Sequence, residues 1–125
     1  MANPNIVNVA AIYGNTSTTS LTTTSATSIV SNASASGKVY KINSIVVANV
    51  DGTSAADITI NIYSAAALGG TATAIASTIS VPADATLIIT DKTTSFYLLE
   101  DKSIGATASA ANDIVVTISW EEINS

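Results

Sequence analysis

Apolar and polar residues alternate along most of this chain. In Asp57-Ile58-Thr59-Ile60-Asn61-Ile62-Tyr63 the isoleucines occupy every second position. Successive side chains of a strand point to opposite faces, so this run predicts a strand buried on one side, as in an antiparallel sheet. Val39 to Val50 carries two apolar rows, Tyr40/Ile42/Ser44/Val46/Ala48/Val50 and Val39/Ile45/Val47. That pattern predicts a central strand covered on both faces. Asp51-Gly52-Thr53-Ser54 is turn sequence, predicted to close a hairpin with the Ile58 strand.

The same reading extends to the C-terminus. Residues 65–73, with Gly69-Gly70, form a predicted loop. Ile75 to Val81 is a short strand stopped by Pro82, which has no N–H for a ladder. Pro82-Ala83-Asp84-Ala85 is a turn, and Thr86–Thr90, Phe96–Leu99 and Ser103–Ser109 are further strands. Ala110-Ala111-Asn112-Asp113 turns into a last strand, Ile114 to Ile123, where Ile114, Val116, Ile118 and Trp120 share one face. Trp120 therefore extends the core row.

The first third differs. Ile6, Val7, Val9 and Ile12 predict one apolar strand, and Gly14 to Gly37 is Ser/Thr/Ala/Asn sequence broken by Leu21, Ile29 and Val30. Threonine favours strands, so two edge strands are expected, Thr18–Thr24 and Thr27–Ser31. The only helical candidate, Ala65-Ala66-Ala67-Leu68, is too short to nucleate. About eight short strands without helices predict one all-β domain, an antiparallel β-sandwich of jelly-roll type. Its sandwich core is expected over residues 38–125, with residues 1–37 as an N-terminal arm or edge hairpin.

Composition narrows the function. Among 125 residues there is no cysteine, histidine or arginine, and the lysines are Lys38, Lys41, Lys92 and Lys102. A chain of this length buries roughly two-thirds of its unfolded surface, so its core needs no metal or disulfide. Charged residues make up 10% of the chain. A free-standing soluble surface carries about 25–35%, so part of this surface is expected to be covered by other chains. The net charge of −5 argues against phosphate backbones, which require clustered Lys or Arg, and nucleic acid is not an expected partner. No apolar run reaches the ~18 residues of a spanning helix, so no membrane partner is expected either. Met1-Ala2-Asn3-Pro4-Asn5 lacks the features of a signal peptide, which predicts synthesis in a cytoplasm. The sequons at Asn15-Thr16-Ser17 and Asn32-Ala33-Ser34 read as accidents of Ser/Thr-rich sequence.

Catalytic chemistry finds little to use. The usual general base is missing, and no Ser-x-x-Lys spacing occurs. Ser36-Gly37-Lys38 lacks the first glycine of a phosphate loop, and Val39 stands where Ser or Thr binds magnesium. Glu121 and Glu122 are adjacent, as are Glu100 and Asp101, so on a strand each pair splits between two faces. Asp51, Asp57, Asp84, Asp91, Asp101 and Asp113 are candidates for a calcium site if their loops converge. Aspartate is also a turn former that bonds its own backbone, and this is the preferred reading. No catalytic, cofactor or metal-binding residue is assigned, and no enzyme activity is expected.

Four segments carry a family resemblance. They are Lys38-Val39-Tyr40-Lys41-Ile42-Asn43-Ser44-Ile45, Ile79-Ser80-Val81-Pro82-Ala83-Asp84-Ala85-Thr86, Tyr97-Leu98-Leu99-Glu100-Asp101-Lys102-Ser103-Ile104, and Ala108-Ser109-Ala110-Ala111-Asn112-Asp113 leading to Ser119-Trp120-Glu121-Glu122-Ile123. Together they resemble small β-sandwich virion structural proteins of tailed bacteriophages, including those of marine cyanobacteria. Glu100 stands where that family usually has glycine. The resemblance implies a non-enzymatic capsid decoration (cement) protein on the virion. It binds the major capsid protein or a neighbouring virion protein as a homo-oligomer, a trimer being favoured. The alternatives are a tail or neck component, or a carbohydrate- or receptor-binding module, for which Tyr63 is the aromatic expected to face outward. A small two-carboxylate hydrolase is the third reading.

Overall fold

The chain folds as a long antiparallel ribbon rolled up on itself. In the computed structural model of the protein, residues 5–124 are described. They form β1 (Ala11–Ser20), β2 (Thr27–Asn32), β3 (Lys38–Asn49), β4 (Ala56–Ala65), β5 (Gly69–Val81), β6 (Thr86–Thr90), β7 (Phe96–Leu98), β8 (Lys102–Ala108) and β9 (Ile114–Asn124). A single 3-10 turn, Lys92–Thr94, is capped by Asp91. The innermost pair of the ribbon is β4 with β5; outside it come β3 with β6 and β7, then β2 with β8, then β1 with β9, all antiparallel. Alternate pairs fall in alternate sheets. One sheet has the order β1-β9-β3-β6, with β7 also on β3, and the other has β2-β8-β4-β5. This nesting is a jelly roll, and the all-β sandwich expected from the alternation is the fold observed.

The core lies between the sheets. Ile42, Ile45, Val47, Ile114, Val116 and Ile118 of one sheet meet Ile58, Ile60, Ile104, Ala106 and Ala108 of the other, all buried. The alternation in β4 and β9 reads directly onto this surface. Trp120 extends the β9 row and packs against the core and Tyr40, with ring centroids 6.1 Å apart.

The double apolar row of β3 has a different cause from the one expected. A bulge between Ile42 and Ser44 inserts Asn43, so the register passes from Ile42↔Trp120 to Ser44↔Ser119. An extra residue reverses which face each later side chain occupies. Tyr40 and Ile42 face the core before the bulge; Ile45 and Val47 do so after it. Parts of the two rows thus make one interrupted core row, while Val39, Val46 and Ala48 face the other side of the sheet.

Three further expectations change. Asp51-Gly52-Thr53-Ser54 closes no hairpin, because β3 and β4 belong to opposite sheets and this loop bridges the layers. The hairpin lies one step later, between β4 and β5. Ala67 and Leu68 sit at its tip with φ of 55° and 60°, so residues 65–73 are no long loop and β5 starts at Gly69. A tight hairpin tip with consecutive positive φ usually carries Asn or Gly, and Ala-Leu gives no such signal.

At the N-terminus, Ile6 and Val7 are 52% and 91% exposed and lie outside any strand. Of the predicted apolar strand only Ile12 is in β1. The Ser/Thr stretch does supply two edge strands, but of the expected Thr18–Thr24 only Thr18–Ser20 belong to one, as the end of β1, whereas Thr27–Ser31 falls within β2. They pair with β9 and β8 in different sheets rather than with each other. Leu21, which follows β1, is fully buried, and Ile29 and Val30 of β2 join the same core.

Candidate interaction surfaces

The outward face of the β1-β9-β3-β6 sheet can be read row by row from its register. Ser20, Val115, Ala48 and Thr86 form one row. Thr18, Thr117, Val46 and Ile88 form the next, and Thr16, Ser119 and Ser44 the third. None of these residues is charged, and Ile88 is 61% exposed. Charge returns only in the row Gly14, Glu121, Lys41 and Tyr97. The result is a flat Thr/Ser/Val/Ile patch on a protein of net charge −5. Water leaves hydroxyls and methyl groups at far lower cost than it leaves ions, so such a patch is easily covered.

Beyond this patch, Val39 and Ile123 pair across β3 and β9 and are buried, yet neither belongs to the central core. Ile12, opposite Ile123 on β1, is 56% exposed.

The edge β5 is the most open strand. Thr71, Ala72, Thr73, Ala74 and Ile75 are all exposed, on both faces. On the side it shares with Ile62, Ser64 and Lys102, this stretch lines a largely apolar groove of about 330 Å³. Lys102 Nζ donates to the Ser64 carbonyl at 3.0 Å at the margin of the groove. A long uncharged edge presents unpaired backbone groups, which natural proteins usually blunt with lysine or proline.

Charged groups are unevenly placed. All four lysines lie toward the end of the sandwich where β3 begins. Asp51, Asp57, Asp84 and Asp113 lie at the opposite end, near the β3–β4, β5–β6 and β8–β9 loops. Lys41 and Lys92 share a second, polar groove with Asn43, Ser95 and Glu121.

The six aspartates do not gather. Among the described residues no three acidic side chains approach as a metal site requires. Asp51 Oδ1 instead accepts from the Thr53 N–H at 3.0 Å and from its hydroxyl at 2.9 Å. These bonds hold the Asp51 carboxyl below the usual aspartate range, and Thr93 does the same for Asp91. Asp101 Oδ1 accepts from the Ala66 N–H at 3.1 Å, pinning the β4–β5 tip. Glu121 and Glu122 fall on opposite faces of β9, and Glu122 makes an ion pair with Lys38 at 3.3 Å. Burial, with Glu122 adding to it, pushes the Tyr40 hydroxyl up.

The aromatic groups are also dispersed. Tyr63 is half-buried: its ring and Leu68 cover Gly105, where an added Cβ would lie 2.8 Å and 2.7 Å from them. The most exposed tyrosines are Tyr13 and Tyr97, at 56% and 44%. Tyr13 shares a row with Tyr40 and faces inward at the sheet margin, whereas Tyr97 shares a row with Lys41 and faces outward. No pair of them forms a sugar-stacking platform.

Two buried asparagines join the layers, Asn32, whose sequon carried no expected role, and Asn49. Asn32 donates to the carbonyls of Lys38 and Leu98, and Asn49 to those of Ser54 and Val81. Their sequence signal is faint: each is the last residue of its strand, next to loop sequence.

No family model and no curated protein matches the chain. Solved structures do. A chain from Bacillus endospore appendages, described as disulfide-linked pili, superposes with a TM-score of 0.54 at 19% identity. The match covers 91% of this chain and 89% of that one. It is a likeness of fold.

Proposed function

We propose that this chain is a non-enzymatic structural subunit that acts by packing against copies and neighbours on a particle or appendage surface. The charge-free Thr/Ser/Val/Ile patch on the outward face of the β1-β9-β3-β6 sheet carries the reading. A net charge of −5 keeps copies apart wherever their acids meet, and this patch holds none of those acids, Glu121 lying in the row beyond it. The dispersed tyrosines and aspartates favour packing over sugar recognition or catalysis. In its sharper form the reading is a capsid decoration protein of a tailed-phage virion. The host cytoplasm makes it, the major capsid protein is its partner, and a homo-oligomer, favoured as a trimer, is the unit that binds.

The likeness to the Bacillus appendage chain supports a second form, a subunit of a surface filament. That neighbour belongs to disulfide-linked pili, whereas this chain has no cysteine. Its contacts in a filament would be non-covalent throughout.

The test is fractionation of a producing culture. Density-gradient purification of virions and of surface filaments, followed by mass spectrometry, should recover the chain at high copy number in one of the two. Recovery only among free soluble proteins overturns the reading; the fraction that holds it decides between the two forms.

A further inference from the structure

The charge pattern divides this chain sharply. Residues 1–37 contain no charged side chain, and neither do residues 58–83. The second stretch includes the whole of β5 and, apart from Lys102 at the margin, the lining of its open groove. The first includes Ile6-Val7-Asn8-Val9, which precedes β1 and is used by no strand of its own fold. Val7 is 91% exposed, a high value for a large apolar side chain in a described segment.

Within one molecule this segment turns back on itself. Asn8 N–H donates to the Asn5 carbonyl at 3.2 Å, and Val7 N–H to the Asn5 side chain at 3.0 Å. It leads into β1, an outer strand of one sheet; the groove lies along β5, the outer strand at the far side of the other.

We infer that Ile6–Val9 of one copy docks as an added strand along the Thr71–Ile75 edge of a second copy. In an extended segment Val7 and Val9 point the same way, so both enter the groove lined by Ile62, Thr73 and Ile75. The backbone of β5 supplies the hydrogen bonds and the groove selects the alternate side chains, as in other strand additions. Charge fits this occupant: the uncharged Ile6–Val9 segment meets the uncharged Thr71–Ile75 edge, the charged lining group of the groove is the cation Lys102 at its margin, and no acid of either copy, each of net charge −5, lines the groove. Donor and acceptor are different surfaces, so the contact is head-to-tail and propagates into a ring or a filament. The inference rests on the assembly reading above and names the contact that such an assembly uses.

The absence of cysteine allows a direct test. Val7→Cys and Thr73→Cys are made as separate full-length variants, mixed, and mildly oxidised. The expected product is a disulfide-linked pair of twice the 12.6 kDa monomer mass in the mixture, absent from either variant alone. As a second measurement, Ile75→Lys should weaken self-association in sedimentation by about tenfold or more, since it places a charge in an apolar contact. Ile75 is already 40% exposed, so the circular dichroism of that variant should match wild type. The inference is overturned if wild type is monomeric, if no mixed disulfide forms where wild type is oligomeric, or if Val7→Cys links equally well to itself. A chain carrying both cysteines that closes on itself as a monomer also overturns it. A missing mixed disulfide in a wild type that still co-purifies with particles removes this docking and leaves the assembly reading in place.

Discussion

Asn49 closes β3 by donating its side-chain amide to the carbonyl of Val81, the last residue of β5, at 2.9 Å. One sheet is thereby tied to the other at the end where their loops meet. The same amide reaches the Ser54 carbonyl at 2.9 Å, and its oxygen accepts from the Asp51 N–H at 3.0 Å. Asn32 holds the opposite end through Lys38 and Leu98, with Ser36 donating to its oxygen at 2.6 Å. Both side chains are almost wholly buried, so each amide satisfies backbone groups that water cannot reach.

Asn49→Ala should therefore be costly. It strands buried carbonyl and N–H groups, a loss of about 2–4 kcal/mol. The check is a denaturant titration: the midpoint should fall while the slope, which reports exposed area, stays constant.

The β4–β5 tip can be improved. Ala67 has φ of 55°, a left-handed conformation that Asn tolerates better than Ala. Ala67→Asn should add about 0.5–1 kcal/mol of stability, read as a higher unfolding temperature.

Alternation along β4 and β9 was legible because each strand keeps an unbroken period of two against one core. The β3 bulge was not, since an inserted Asn43 and a strand apolar on both faces leave the same pattern. The β4–β5 tip was missed because Ala66-Ala67-Leu68 lacks turn residues and Gly69-Gly70, just beyond, attracts the loop assignment. The sheet crossing after Asn49 was hidden for another reason: Asp51-Gly52 is a turn signal whether the chain stays in its sheet or leaves it. The charge-free patch on the outward face was implicit in the composition, but it appears only once the register places Thr18, Thr117, Val46 and Ile88 side by side.

That face separates stability from assembly. Ile88→Lys alters a side chain that is already 61% exposed and should change folding stability by no more than about 0.5 kcal/mol. Under the assembly reading the same variant should fail to join particles or oligomers. Thermal unfolding and sedimentation, run together, check both halves.

Acid should act at identifiable places. The Asp51 and Asp91 carboxyls are held below the usual range, by Thr53 and Thr93 respectively. A carboxyl depressed in the folded state stabilises it above the unfolded pKa, and that contribution is lost as pH falls through the folded value. The window thus lies below about pH 4. Carbon-detected NMR titration should place both midpoints under the ordinary aspartate value. Thr53→Val, which removes the hydroxyl donor, should move the Asp51 midpoint upward and leave Asp91 unchanged.

The place of β9 in the fold has a consequence for how the molecule is made. It is the last strand in chain order, yet it lies between β1 and β3. On the ribosome, neither earlier strand can gain its long ladder until residues 114–124 have emerged. β4 and β5, joined by a tight tip, can pair first, and β3 can then pair with β6 and β7. The nascent chain must therefore wait with its first third unpaired, and Ser/Thr-rich sequence with few large apolar groups is well suited to that wait. Completion depends on pairing β1 with β9, strands far apart in sequence, which places refolding in the slow range of about milliseconds to seconds typical of non-local β topologies.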